Sequence, residues 1–163
     1  PRWEDSRSGS GFNFRMNEMQ GAVGLAQLKK LDYVVAMQKN NADLIEKTIA
    51  ALPIEMRTVP DGSFETADAL VFFADNNRTA HQCRDALLEA GLGTKILPEA
   101  FTWHFAGTWN HMPELVERNG KDLINAFPKS LELLNKSVSL PIAINMVDNF
   151  PAKIRETLMS VLK

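Results

Sequence analysis

Gly11-Phe12-Asn13-Phe14-Arg15-Met16-Asn17-Glu18-Met19-Gln20-Gly21-Ala22-Val23-Gly24-Leu25-Ala26-Gln27-Leu28 is the stretch from which the rest of the chain is read. Just ahead of it, Ser6, Ser8, Gly9, Ser10 and Gly11 stand too close together for a stable helix or strand, so residues 1–15 read as an extended arm. From Met16 the composition turns to strong helix formers. Apolar or small residues at 16, 19, 23 and 26 follow helical spacing and place a helix start near Met16 or Asn17. Leu25, Leu28 and Leu31 lie on a different face, so the helix over about residues 16–37 is apolar nearly all round, the pattern of a buried helix. Gly21 and Gly24 each cost about 0.8–1.0 kcal/mol relative to alanine in a helix interior. Close approach of another backbone is the natural reason for tolerating that cost.

Outward from this stretch the composition is that of a folded domain. Among 163 residues, 18 Lys and Arg stand against 20 Asp and Glu, a net charge of −2 that argues against a nucleic-acid coat. Hydrophobic residues make up 45% and charged residues 23%, which excludes a disordered tail. The single cysteine, Cys83, forms no intrachain disulfide and reads as a core thiol. The run from Ala69 to Ala74 is far shorter than the 18 or so residues of a membrane span, and Pro1-Arg2-Trp3-Glu4-Asp5 lacks the features of a signal peptide. The expectation is a cytoplasmic protein with no membrane or nucleic-acid partner.

Further along, Ala42, Ile45, Ile49 and Leu52 extend helical periodicity to Pro53, so residues 16–52 form a long helical segment, bent or broken once. Residues 53–163 read as a small α/β subdomain. Ile54–Val59 and Ala69–Ala74 are strands that could pair across the turn Pro60-Asp61-Gly62-Ser63. Thr79 and Gln82 have capping-box spacing for a helix over about 80–90 that Gly91 stops. A strand over Thr94–Leu97 leads to an aromatic loop containing Phe101, Trp103, His104, Phe105 and Trp109. Pro128 opens a helix ending near Asn135, Val138–Leu140 is a strand, and a last helix starts around Pro151. The class is α+β, a short sheet with helices packed on one face plus the long N-terminal helix.

Common catalytic signatures are missing. Gly91-Leu92-Gly93 follows a helix rather than a strand, so it is a helix stop and not a dinucleotide cradle. His104 and His111 have neither the spacing nor the companions of a zinc site, and no metal site is expected. Two places remain. Asn13 and Arg15 precede a helix N-terminus, where exposed N–H groups, the helix dipole and a guanidinium suit a phosphate or carboxylate. The alternative is that Asn13 caps the helix and Arg15 pairs with a surface acid. The other place is the aromatic segment around His104, whose alternative is a protein contact or a satellite core.

The run Gly11 to Leu28 resembles the GxNxRMxExQAAxGxxQL segment of pyridoxal-phosphate sugar aminotransferases of the DegT type. The helix ending at Gly91, the strand start at Gly93-Thr94, the loop with His104 and the Leu140-Pro141 element resemble that family's small C-terminal domain in the same order. The resemblance implies a fold type I aminotransferase working as a homodimer with shared active sites. It would move an amino group from glutamate to a keto or aldehyde sugar by ping-pong transfer, with pyridoxal 5'-phosphate as cofactor. The family's Schiff-base lysine lies upstream of this region and no lysine here stands in a matching motif, so this chain holds no catalytic residue and is expected to be inactive alone. The large cofactor-binding domain is absent from it.

By position, Asn13 matches the family asparagine that reaches the partner subunit's cofactor phosphate, and Arg15 matches the neighbouring arginine. His104 falls in the sugar-binding loop, with Trp103 and Trp109 as candidate walls of the substrate pocket. Gly21, Ala22, Gly24 and Ala26 take on the sense of a close-packed contact near the dimer interface. Pro1 to Arg7 and Trp103 to Asn110 are most similar to the aminotransferases that form 8-amino-3,8-dideoxy-manno-octulosonate, a sugar of lipopolysaccharide. Phe14 replaces a common tyrosine, and Trp103-His104-Phe105 stands where relatives often read Leu-His-Leu-Gln. A nucleotide-sugar substrate, or a dimerisation or ligand-binding module without chemistry, are the competing readings.

Overall fold

The computed structural model describes residues 15–93, 95–96 and 105–162. The chain divides into two compact units, Pro1–Tyr33 and Val34–Lys163. In the first, α1 (Glu18–Leu28) starts at the N-cap Asn17. Asn17 Oδ1 accepts the Gln20 N–H at 2.8 Å, and the Asn17 N–H donates to Gln20 Oε1 at 2.9 Å. This reciprocal pair satisfies two donors that a helix start and its cap leave open. The helix does not run to residue 37. A turn at Lys29 and Lys30 ends it, and α2 (Leu31–Ile49) begins directly afterwards. α1 has no buried residue: Met16, Met19, Val23, Leu25 and Leu28 are all exposed, Met19 to 77%. The burial expected from its pattern is therefore not found among the described residues.

The second unit is built on four antiparallel strands, β1 (Glu55–Met56), β2 (Ala69–Phe73), β3 (Lys95–Ile96) and β4 (Ser137–Pro141), in the order β1-β2-β4-β3. The expected pairing of the first two strands is present, although β1 is only two residues long. Alternation along the central pair decides where the core lies. Leu70 opposes Leu140 and Phe72 opposes Val138, and all four are buried. Onto this face pack Ala42, Ile45 and Ile49 of α2, Ala80, Cys83 and Leu87 of α3 (Asn77–Glu89), and Ile154 and Leu158 of the terminal helix. Each buried aliphatic or aromatic side chain of this kind contributes roughly 1.5–3 kcal/mol. Two amide side chains fasten α2 to the chain after β4: Gln38 Nε2 donates to the Ile142 carbonyl at 3.0 Å and Asn41 Nδ2 to that of Ala143 at 2.8 Å.

The start of α3 differs from expectation. Asn76, not Thr79, is the N-cap, and its Oδ1 accepts both the N–H and the hydroxyl of Thr79 at 3.0 and 3.2 Å. Asparagine ranks above threonine at this position, and it sits three residues before a free donor. The stop is as expected: Gly91 is left-handed with φ 74°, which lets the Leu92 N–H return to the Leu87 carbonyl at 2.8 Å.

Residues 105–136 contain more helix than the sequence pattern implies. A 3₁₀ turn over Ala106–Thr108 is followed by α4 (Pro113–Asn119), α5 (Leu123–Ala126) and α6 (Pro128–Lys136). Pro113 and Pro128 open the first and last of these, where a missing N–H and a preset φ cost nothing. The terminal helix α7 (Phe150–Val161) likewise has Pro151 in its first turn. The α+β class and the short sheet stand. No helix among the described residues is long and apolar enough to cross a membrane.

Candidate functional site

Arg15 stands two residues before the α1 cap, with its side chain exposed and no ion pair among the described residues. The cap that the competing reading puts at Asn13 is found at Asn17 instead, and Arg15 has no ion pair with a described acid. The cap also changes what the helix end can offer. Its side chains occupy the N–H groups of Asn17 and Gln20, and the Glu18 carboxylate stands in the same first turn. What the described residues leave open to an anion here is the guanidinium of Arg15 and the N–H groups of Glu18 and Met19.

The described part of the aromatic segment is firmly anchored. Phe105 is buried and meets Phe127 edge to face, with ring centroids 6.4 Å apart at 79°. Gly107 is packed so closely that a Cβ there would run into the Phe105 ring and lie 3.0 Å from Ile124 Cα. The N–H and hydroxyl of Thr108 both donate to the Phe105 carbonyl, at 3.0 and 2.9 Å. Trp109 follows, half-buried, its N–H on the Ala106 carbonyl at 3.1 Å and its own carbonyl accepting the Met112 N–H at 3.0 Å. Residue 109 is thus held by a braced turn. Asn13, Trp103 and His104 lie outside the described residues. Arg15 and Trp109 belong to different units.

A feature that sequence reasoning misses is a cavity of about 470 Å³ on the sheet face away from the core, bounded by Val71, Phe73, Phe105, Phe127 and Leu133 with Arg57 at one side. Its one signal is the apolar character of both faces of β2, where Val71 and Phe73 alternate with Leu70 and Phe72. Of the polar groups that border it, Arg57 pairs with Glu65 and Ser137 Oγ donates to the Leu134 carbonyl at 2.9 Å, while the Ser130 side chain also lines it. Among the described residues its lining is thus mainly apolar, with few polar groups to orient a sugar.

Cys83 and Glu46 both titrate away from their ordinary values. Burial pushes the Cys83 thiol up to about 11, which keeps it protonated and marks it as a packing residue rather than a nucleophile. Glu46 is raised, first by burial and then by repulsion from Asp43 and Glu65.

Set against known proteins, the sequence pattern of the DegT/DnrJ/EryC1/StrS aminotransferase family matches residues 2–159. The chain belongs to that family. It is 24% identical over 132 residues to GDP-perosamine synthase of Vibrio cholerae, covering 80% of this chain and 33% of that protein. It is 31% identical over 83 residues to GDP-4-keto-6-deoxy-D-mannose 3-dehydratase of Yersinia pseudotuberculosis, covering 50% of this chain and 21% of the relative. The fold is that of the Streptococcus pneumoniae protein Spr1654 in its PMP form, with a TM-score of 0.72 at 17% identity over 98% of this chain and 38% of the other. This family member thus spans about a third or less of the length of the curated relatives it matches.

For a phosphate-bearing cofactor of such a family, the described residues supply one fitting group. Arg15 offers an exposed guanidinium without an ion-pair partner among them, while the cap takes two of the N–H groups of the helix end beside it. By chemistry this group suits a phosphate, but it is not a complete cradle.

Proposed function

We propose that this chain is the C-terminal part of a longer pyridoxal-phosphate-dependent sugar aminotransferase, with the arm over 1–15, the helical segment over 16–52 and the α/β subdomain over 53–163 forming its small domain. The observation that carries the reading is the family match across residues 2–159. The full protein works as a homodimer with shared active sites. Pyridoxal phosphate supplies the carbonyl that takes an amino group from glutamate and delivers it to a keto or aldehyde carbon of the sugar. Asn13 and Arg15 hold the phosphate of the cofactor bound by the other subunit, Arg15 through the two-pronged geometry of its guanidinium. His104 bonds to sugar hydroxyls or a carboxylate, and Trp103 and Trp109 wall that pocket and exclude water. The Schiff-base lysine belongs to the remainder of the polypeptide, so residues 1–163 alone do not turn over.

Two sugar classes are in play. The similarity of Pro1 to Arg7 and Trp103 to Asn110 supports 8-oxo-3,8-dideoxy-manno-octulosonate, a lipopolysaccharide precursor used in the cytoplasm. The names of the two relatives support a GDP-linked keto sugar instead. Amine formation from glutamate with each sugar, read by product mass, separates them and also distinguishes amino transfer from loss of water.

The residue roles are tested in the full-length protein. Asn13→Ala and Arg15→Ala are each expected to weaken pyridoxal phosphate retention, and affinity equal to the wild type removes the phosphate role of that residue. His104→Ala is expected to slow the half-reaction with sugar more than the half-reaction with glutamate. Equal losses in both halves count against a sugar-loop role.

A further inference from the structure

We propose that Asn119 is a site of spontaneous deamidation, converting to aspartate and isoaspartate at a rate set by opening of the last turn of α4. This holds whether or not the chain carries out amino transfer. Asn119 is the one asparagine of the sequence that precedes a glycine. Glycine has no Cβ to shield its backbone nitrogen, and its φ and ψ are the least restricted, so a neighbouring side chain can reach that nitrogen. Asn119 and Gly120 are both exposed, and a Cβ on Gly120 would meet nothing within 4 Å, so water reaches the pair. α4 itself is only 7 residues long and has no buried residue, which places its end among the segments that open most easily.

The step needs no partner but water. The Gly120 nitrogen loses its proton to solvent and attacks Asn119 Cγ. A C–N bond forms, closing a five-membered succinimide, while the Cγ–Nδ2 bond breaks and ammonia leaves. Water then opens the ring, at Cγ to give aspartate or at the backbone carbonyl carbon to give isoaspartate. In the folded chain both reacting groups are held. Asn119 Nδ2 donates to the Leu115 carbonyl at 2.9 Å, which turns the amide back along the helix. The Gly120 N–H donates to the Val116 carbonyl at 2.8 Å, which keeps the proton on the nitrogen that has to attack. Both bonds must open first, and two net hydrogen bonds slow the reaction about 5- to 150-fold against the unfolded chain. The change also prevents its own reversal. A carboxylate has no N–H for the Leu115 carbonyl, and it stands at the negative end of the helix, so the product holds the turn less well than Asn119 does.

The test follows the natural full-length protein in mildly alkaline buffer, folded and in guanidinium chloride, with peptide mapping by mass spectrometry that separates aspartate from isoaspartate. Both products are expected at position 119 ahead of every other asparagine, about 5- to 150-fold more slowly in the folded protein than in the unfolded one. Near-equal rates in the two states would overturn control by α4. Slowing well beyond that range, or faster reaction at another asparagine, would overturn the site, and aspartate without isoaspartate would overturn the ring route. Glu117→Gly loosens the helix at an exposed position without touching either reacting residue. It is expected to speed the folded reaction about two- to fivefold and leave the unfolded one unchanged. An unchanged folded rate in that variant would also overturn control by the turn.

Discussion

α1 and α3 are helices of similar length, 11 and 13 residues, with opposite fates. In α3 the apolar side chains fall on one stripe, Ala80, Cys83 and Leu87, and that stripe is fully buried against the sheet and α7. Its other faces carry Arg78, His81, Asp85 and Glu89. In α1 the apolar side chains are spread around the axis, and none is buried. The more apolar helix is thus the more exposed one. The distribution of apolar residues, rather than their number, tells how many neighbours a helix needs, and whether one chain can supply them all.

The sharpest way to break this comparison is a pair of truncations. Phe72→Ala removes a fully buried ring at the centre of the core and is expected to cost about 3–5 kcal/mol by urea unfolding. Leu25→Ala in the 163-residue chain is expected to change stability by less than about 0.5 kcal/mol, as for an exposed site. A large loss in the short chain would mean that α1 is already buried there.

Gly107→Ala probes the braced turn before Trp109. An added methyl has to displace the Phe105 ring and is expected to cost about 1–3 kcal/mol. A neutral result would show that the Phe105–Phe127 contact yields easily and that Trp109 is not held as described.

The smallest effect concerns Glu46, on the same helix as the core residues Ala42 and Ile45. Its carboxyl is raised in the folded protein by burial, Asp43 and Glu65, so the unfolded chain gives up this proton first. Stability from this group is therefore present below the ordinary carboxylate value of 4.5 and is lost as pH rises through the raised one. Glu46→Gln is expected to raise the melting temperature slightly at pH 7, with the gain vanishing as pH falls through the carboxylate range. A gain that persists in acid would point to packing instead.

Much of the second unit is legible in the amino-acid sequence, because its elements are self-contained. The stripe Ala42, Ile45 and Ile49, the stop at Gly91, the helix opened by Pro128 and the strand at Val138–Leu140 each follow from local periodicity or from proline and glycine chemistry, and their partners lie in the same chain. Legibility fails where a signal is weak or the partner lies elsewhere. The turn at Lys29 and Lys30 has no proline or glycine to announce it. α4 and α5 are too short for periodicity to outweigh the aromatic, turn-rich residues around them. Thr79 has the spacing of a cap because Gln82 follows three residues later, yet Asn76 lies closer to the true start. Of the site, the anchoring of Trp109 through Gly107 is a matter of close packing that spacing does not reveal. Arg15 stands out in the sequence as a cation near a helix start, but the geometry of the capping box that takes two of that helix end's N–H groups does not.

The central claim, that this small α+β unit is part of an amino-transferring enzyme, is tested most directly on the protein from its native source. Its intact mass and its absorbance between about 300 and 450 nm, with and without added pyridoxal phosphate, are the measurement. The account predicts a mass well above 18.2 kDa and a cofactor band that changes when glutamate is added. A native mass equal to this chain, with no band even after pyridoxal phosphate is supplied, would contradict it and leave a module that kept the fold without the chemistry.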